Sequence, residues 1–428
     1  YAADKTELKA GDIITKIGNQ SLQDMDRDQL SQLLKGATNA SLDLEIYRQG
    51  EKITVTVFTE KVVINPVPFY DLIDNETGYI ILTRFNEKSS SEVKKAFNAL
   101  KKRGMKKLVF DLRGNPGGSL GEAINISNFF LPKGSTIVST KAKVKKWSTI
   151  YRASNTPLDL EIPLTILVNN KSASASEIVA GALQDFDRAV IIGERSFGKG
   201  LVQKYINLTY GTQLKLTISK YYTPSGRWIQ ELDYANRDKN GKVPKFSEGS
   251  ISSFKTKNDR VVYDGGGITP DILIGFSKRN ETTNELIKSR AIFNFTTDYF
   301  YKNPTISSVT DFSLSSSDFN SFLNYIKLSD TVFETTQERL FLDAYKSSEE
   351  IKFIDKEYQQ IKMKLLQEKI SKISKNQDFL SKIIKDQILI RYYYKKGSYE
   401  NKLKNDSVIL EAVKILKNKN QYAKILKG

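Results

Sequence analysis

The sequence predicts three successive regions: a small β-rich module over residues 1–62, an α/β core over 63–275 and an α-helical region over 276–428. Three observations predict this. Two strictly alternating runs, Leu42/Leu44/Ile46 and Ile53/Val55/Val57, lie in the first region and read as half-buried strands. From residue 63, short apolar runs alternate with amphipathic helical patterns, the signature of strands and helices in α/β order. After residue 276 the strand signal fades, and Ser-rich connectors such as 307–321 separate helical stretches.

Taken in order, Leu8 to Ile14 is a turn running into a strand, and Leu30, Leu33 and Leu34 mark one face of a short helix. The two alternating runs are joined as a hairpin through Arg48-Gln49-Gly50. In the core, Gly78–Leu82 is a strand, Ser90–Arg103 an amphipathic helix and Lys107–Leu112 a buried strand closed by Gly114-Asn115-Pro116-Gly117-Gly118. A helix starts near Leu120. Leu164–Val168 is a second buried strand, followed by a Ser/Ala-rich turn over 171–176 and a helix carrying Ile178, Val179, Ala182 and Leu183. Ala189–Ile192 is a third strand, and Leu201–Tyr222 alternates like two strands around a Tyr210-Gly211 turn. Residues 233–260 read as a polar surface insertion. The longest helical stretch runs from about Lys356 to Tyr394 on a repeating Ile/Leu stripe.

Composition removes whole classes of chemistry. With no Cys there is no disulfide, thiolate metal site or Cys nucleophile, and with no His there is no Ser-His-Asp triad and no His-liganded metal. No apolar run reaches the roughly 20 residues of a membrane helix. The net charge of +17 is concentrated in residues 361–428, which hold 17 Lys+Arg against 6 Asp+Glu. These are mostly Lys, solvated point charges rather than the forked donors that read phosphates and bases, so the reading is a basic helical face and not a nucleic-acid site.

Two segments carry chemistry. In Asn169–Glu177, a Ser between a buried strand and a helix start sits near free backbone N–H groups and the positive end of the helix dipole. Ser174-Ala175-Ser176-Glu177 is equally a capping box. Gly193–Gly200 has the spacing of a phosphate-binding loop, but Gly200 stands where that loop needs Ser or Thr, and strands follow instead of a helix. What remains is Lys199 flanked by glycines. Without His, a lysine is the available base for a Ser nucleophile, because burial disfavours the charged form of an amine and frees its lone pair.

Asp111-Leu112-Arg113-Gly114-Asn115-Pro116-Gly117-Gly118, Ser172-Ala173-Ser174-Ala175-Ser176-Glu177-Ile178, Phe197-Gly198-Lys199-Gly200 and Tyr221-Tyr222-Thr223-Pro224-Ser225-Gly226, closed by Gly267-Ile268-Thr269-Pro270-Asp271, resemble in sequence and order the blocks of the carboxy-terminal processing (tail-specific) proteases, S41-type serine peptidases with a PDZ module. The resemblance covers roughly residues 1–275 and implies a ClpP/crotonase-like protease core behind a partial PDZ module. It implies a Ser-Lys dyad, with Ser174 chosen over Ser172 and Ser176 by the family's 25-residue spacing to Lys199. Gln203 then orients Lys199, with Glu177 the other supporting candidate. The oxyanion hole is the backbone N–H of Ala175 with that of Gly118, or of Gly117 if the turn is read one residue differently. The implied function is cleavage of proteins near their carboxyl-terminal tails, without cofactor or metal. The implied partners are protein or peptide substrates with exposed C-termini, and self-association into a homo-oligomer is compatible with the resemblance. The competing reading is an inactive PDZ-type peptide-binding scaffold on the same fold. The implied location is the cell envelope, the periplasm above all, with a signal segment ahead of Tyr1.

Overall fold

Residues 1–246, 251–275, 279–328, 333–346 and 355–428 are described by the computed structural model. The first module follows its alternation. β1 (Ile13–Ile17), β2 (Gln20–Ser21), β3 (Ser41–Arg48) and β4 (Glu51–Phe58) form an antiparallel sheet in the order β2-β1-β3-β4. Ile17, Leu44, Ile46, Val55 and Val57 are its buried side chains. A one-residue slip would turn them all outward, which fixes the register. Asp26 starts α1 (Arg27–Leu33): its carboxylate takes the Asp28 and Gln29 amides, and Gln29 reaches back to the Asp26 amide.

The core then lays down β5 (Phe69–Leu72), β6 (Thr77–Ile81), α2 (Ser89–Lys102), β7 (Lys107–Asp111), α3 (Leu120–Asn128), β8 (Thr136–Lys141), β9 (Thr149–Arg152), β10 (Leu164–Val168), α4 (Ala175–Asp185) and β11 (Val190–Gly193). β12 (Leu201–Asn207), β13 (Gln213–Tyr222), β14 (Ser253–Lys255), β15 (Val261–Tyr263) and β16 (Ile272–Leu273) complete its strands. Six strands form one sheet in the order β16-β11-β10-β7-β6-β5, parallel except for the β5 edge. β6 and β10 are buried along their whole length. That is why they read as continuous apolar runs rather than alternating ones. A second, antiparallel sheet has the order β12-β13-β8-β9. The polar insertion expected over 233–260 is largely irregular and ends in the β14–β15 hairpin; its residues 247–250 lie outside the described residues.

The helical region comprises α5 (Glu281–Lys288), α6 (Ala291–Lys302), α7 (Ser316–Leu328), α8 (Thr336–Lys346), α9 (Asp355–Ser374), α10 (Gln377–Asn405), α11 (Ser407–Lys417) and α12 (Lys419–Lys427). The stripe expected as one helix from 356 to 394 is two. Asn376 turns its side chain amide onto the Lys372 carbonyl and ends α9 there. Phe295, Phe319, Phe322, Ile373, Ile384 and Ile388 share one buried core.

The chain divides into two compact units, Tyr1–Ile64 with Ser277–Asn401, and Asn65–Phe276 with Lys402–Gly428. The sequence reading kept 276–428 together; the structure groups the last two helices with the α/β core instead. Ile409, Ala412, Ile415 and Leu416 are buried, and α11 lies against β7, β10 and β11. Polar ties fix the docking: Arg113 holds the Asp406 carboxylate (2.9 and 3.0 Å), and the Tyr422 hydroxyl bonds both the amide and the carbonyl of Leu164.

Lys417 also pairs with Asp74 at 2.8 Å. Burial alone would raise the Asp74 carboxyl, but the Lys417 ammonium and the Glu76 and Thr77 amides outweigh it and hold Asp74 at about 2. A lowered folded-state pKa gives stability that is full above the ordinary value of 3.8 and is lost as pH falls through about 2. Asp74→Asn is therefore expected to cost at most about 1 kcal/mol at neutral pH for this partly exposed pair. The gap between wild type and variant, read from urea unfolding, should close as pH drops across that window.

Candidate active site

β7, β10 and β11 are adjacent parallel strands, so their carboxyl ends reach the same edge of the sheet and the loops that follow them converge. In open parallel sheets this edge is where ligands bind. The loop after β7 is the Gly-Asn-Pro-Gly-Gly turn, the loop after β10 carries Ser174, and the loop after β11 carries Lys199. All three loops line one cleft of about 370 Å³, which Gly117, Gly118, Ser174, Ala175, Lys199 and Gln203 share with the apolar Leu120, Ile178 and Tyr221.

Ser174 is the residue before α4 and has φ +57° and ψ −112°. A non-glycine residue in this region stores on the order of 1–3 kcal/mol, held only because the surroundings over-determine it. The three serines of the loop are not equivalent. Ser172 and Ser176 are buried, and their hydroxyls donate to the Leu112 (2.8 Å) and Asn115 (3.0 Å) carbonyls. Ser174 alone of the three lines the cleft. The Ala175 amide is at the first position of α4, where no intrahelical acceptor exists.

Glu177 ties the serine loop to the lysine loop. It is fully buried on α4; its Oε2 accepts from the Ser174 amide (2.8 Å) and the Lys199 amide (2.9 Å), and its Oε1 from the Ser196 hydroxyl (2.6 Å) and the Gly198 amide (2.7 Å). Burial pushes this carboxyl above its ordinary value, against the downward pull of those four donors. The Glu177 half of the expected capping box is thus present, and the same carboxylate reaches 22 residues further along the chain. The lysine loop is fixed on its far side by Gln230, which accepts the Gly200 amide (2.8 Å), and by Trp228, which donates to the Gly200 carbonyl (3.0 Å).

The glycine turn packs directly under the serine. The Gly117 amide is occupied by the Asn115 side chain (2.9 Å) and its carbonyl by the Phe85 amide (3.0 Å). Of the two amides that the alternative readings of the turn offer, Gly118 is therefore the one with no protein acceptor among the described residues. Gly117 has φ +93°, and a Cβ there would lie 2.6 Å from the Ala173 carbonyl oxygen and 2.8 Å from the Ser174 Cβ. Gly117→Ala is expected to displace Ser174 and lower kcat/KM for peptide cleavage by about a hundredfold. Gly114→Ala, at φ +73° with nothing within 4 Å, meets only backbone strain and should lose far less in the same assay.

The structure brings Ser174, Ala175, Gly118, Lys199 and Gln203 to the one cleft and places Glu177 behind it. Lys199 is partly buried, and its amine is not hydrogen-bonded to the Ser174 hydroxyl or to Gln203 among the described residues. Contacts of this kind commonly close only when substrate is present. Gln203 follows the bend into β12, next to a bulge between Val202 and Gln203. Sequence reasoning missed Gln230 and Trp228, and gave no role to Tyr221, whose hydroxyl approaches the Ser174 carbonyl (3.4 Å). Nothing local marks the first two, which act through tertiary contacts about 30 residues away. Asn115 and Ser196 lay inside segments already singled out; a polar side chain inside a glycine-rich turn was the usable signal.

Three segments of the chain match known protein families. The profile of Peptidase family S41 matches residues 76–235, that of a PDZ domain residues 1–48, and that of a probable PDZ-protease C-terminal helical domain residues 282–416. The central match and the relatives that follow support a likeness to the carboxy-terminal processing proteases of peptidase family S41. The chain is 35% identical over 229 residues to a probable CtpA-like serine protease of Staphylococcus aureus (strain bovine RF122 / ET3-1), covering 53% of the chain and 45% of that relative. It is 31% identical over 245 residues to a chloroplastic C-terminal processing peptidase of Tetradesmus obliquus, covering 54% and 52%. The chain thus spans about half the length of the curated relatives it matches. Among solved structures it is similar to a photosystem II D1 C-terminal processing protease, with 32% identity, a TM-score of 0.36, and coverage of 51% of this chain and 60% of that one.

Proposed function

We propose that this chain is a serine endopeptidase that cuts other polypeptides near their carboxyl-terminal tails by a Ser174–Lys199 dyad. The observation that carries the reading is the convergence of Ser174, Lys199 and the Ala175 and Gly118 amides on one cleft in a chain without His. The names of the curated relatives supply the substrate class. In this mechanism the Ser174 Oγ attacks the scissile carbonyl carbon while the Lys199 Nζ takes its proton. The Ala175 and Gly118 amides receive the oxyanion, aided by the positive end of α4. Lys199 then gives the proton to the leaving amine, and water releases the acyl group from Ser174 by the reverse sequence. Gln203 orients the Lys199 amine from within the cleft, and Glu177 positions both loops. The parallel sheet with its nucleophile at a strand-to-helix junction supports a ClpP/crotonase-like class for the core, and an exported, cell-envelope location belongs to the same proposal.

The test is incubation of the full chain with unstructured polypeptides, the products being mapped by mass spectrometry. Cuts confined to the carboxyl-terminal region and absent with Ser174→Ala are expected. Identical cuts by Ser174→Ala, or none by wild type, would overturn the reading.

A further inference from the structure

The antiparallel sheet β12-β13-β8-β9 is unusual in charge. Residues 136–152 and 201–222, which build it, contain eight Lys and Arg and no Asp or Glu. Together with the basic tail this sheet more than accounts for the chain's +17. Among the described residues none of the eight forms a salt bridge. Instead Lys220 lies 3.7 Å from the Trp228 ring centroid, Lys141 4.7 Å from Tyr222, Lys215 5.5 Å from Tyr205 and Lys146 5.7 Å from Trp147. An aromatic face holds a cation in place without cancelling its charge. Lys220 and Lys141 are, moreover, direct cross-strand partners. Like charges at that spacing are destabilising, so the sheet retains a repulsion that an incoming anion would relieve.

The sheet reaches the cleft. Lys215 and Tyr205 are cross-strand partners on β13 and β12, and both line the cleft that holds Ser174 and Lys199. β12 is an edge strand, and among the described residues its outer side pairs with no strand. An exposed edge of this kind accepts an extended peptide as an added strand. β12 starts two residues after Lys199, so a peptide laid along it runs straight into the reacting centre.

From these observations we infer that the sheet selects substrates carrying Asp or Glu within a few residues of the scissile bond, Lys215 with Tyr205 forming the nearest subsite. The inference rests on the peptidase reading of the cleft. An acidic peptide is favoured over an anionic bilayer because Lys215 lines a concave cleft, which an extended chain enters and a flat lipid surface does not.

The experiment takes three versions of one peptide, differing only in Asp/Glu, Asn/Gln or Lys at the positions flanking the cut. Turnover is measured with the wild-type full chain, and binding by fluorescence anisotropy with Ser174→Ala, each across a salt series. Expected is about tenfold higher kcat/KM and tighter binding for the acidic peptide at low salt, the ratio falling towards one as the Debye length shrinks to about 3 Å at 1 M. Lys215→Glu should reverse the order, making the Lys peptide the better substrate. If Lys215→Glu does not fold, Lys220→Glu and the wild-type salt series decide in its place. Cleavage with no charge preference and no salt dependence would overturn the inference and leave the peptidase reading standing. No cleavage, but binding that favours the acidic peptide and reverses in Lys215→Glu, would overturn the peptidase reading and leave the charge selection standing. Absence of both would overturn both. Binding to phosphatidylglycerol vesicles without preference for the acidic peptide would overturn the inference in favour of a lipid surface.

Discussion

Lys199→Ala is expected to lower peptide turnover by about a thousandfold or more, since a serine hydroxyl is a weak nucleophile until a positioned base takes its proton. The fold should survive. Lys199 is held through its backbone, its amide on Glu177, while its side chain opens into the cleft. Truncating that side chain removes the proposed base and leaves the loop's hydrogen bonds in place. Lys199→Arg should be as inactive as Lys199→Ala, because a guanidinium keeps its proton at any workable pH. Ser174→Ala should match both, whereas Ser172→Ala and Ser176→Ala should keep most activity and each lose about 1 kcal/mol of stability with one buried hydrogen bond. Turnover of one peptide by all five variants, with thermal melts alongside, checks the set. Normal cleavage by Ser174→Ala together with an inactive Ser176→Ala would move the nucleophile and sink the dyad.

Glu177→Ala is expected to abolish activity by a different route and to destabilise the core as well. Its carboxylate is the acceptor for four donors, two to each of its oxygens, inside a fully buried site. Removing it strands donors at about 1–3 kcal/mol each, so a loss of roughly 3–5 kcal/mol is expected even after partial relaxation. Glu177→Gln separates charge from shape. An amide of the same size keeps one acceptor oxygen and presents N–H groups to the other pair of donors, so one of the two loops must move. We expect kcat to fall by about a hundredfold with KM changing much less, since the positions of Ser174 and Lys199 are disturbed but the cleft walls are not. Wild-type kcat in Glu177→Gln would show that the bridge between the loops is structural and does not position the reacting groups.

The parts of the site legible in the sequence were those written locally. β7, β10 and β11 announce themselves as short apolar runs because both of their faces are buried, and the loops after them stand out by glycine, serine and lysine content. Glu177 was visible through its capping-box spacing, but that spacing explains only the bond to the Ser174 amide; the three donors from 196–199 come from the next loop. β8 and β9 went unread because their exposed loop and half-buried pattern give no clean period, and with them went the charge of the second sheet. The chain-wide charge count drew attention to the tail instead. Arg113 sits in a segment that was singled out, yet its partner Asp406 is 293 residues away, and no periodicity or spacing rule reaches that far.

The placement of α11 has a consequence for synthesis. The strands it covers leave the ribosome first: from the end of β10 at Val168 to the start of α11 at Ser407 is roughly 240 residues, or some tens of seconds at about 5–20 residues per second. Throughout that interval the apolar surface that Ile409, Ala412, Ile415 and Leu416 will occupy has no cover from its own chain, and Arg113, beside the glycine turn, has no Asp406 to hold. The nascent chain therefore passes a long stage with all of its cleft residues made and its core still open, a stage in which exposed apolar surface invites aggregation and in which the loops around the cleft are not yet braced.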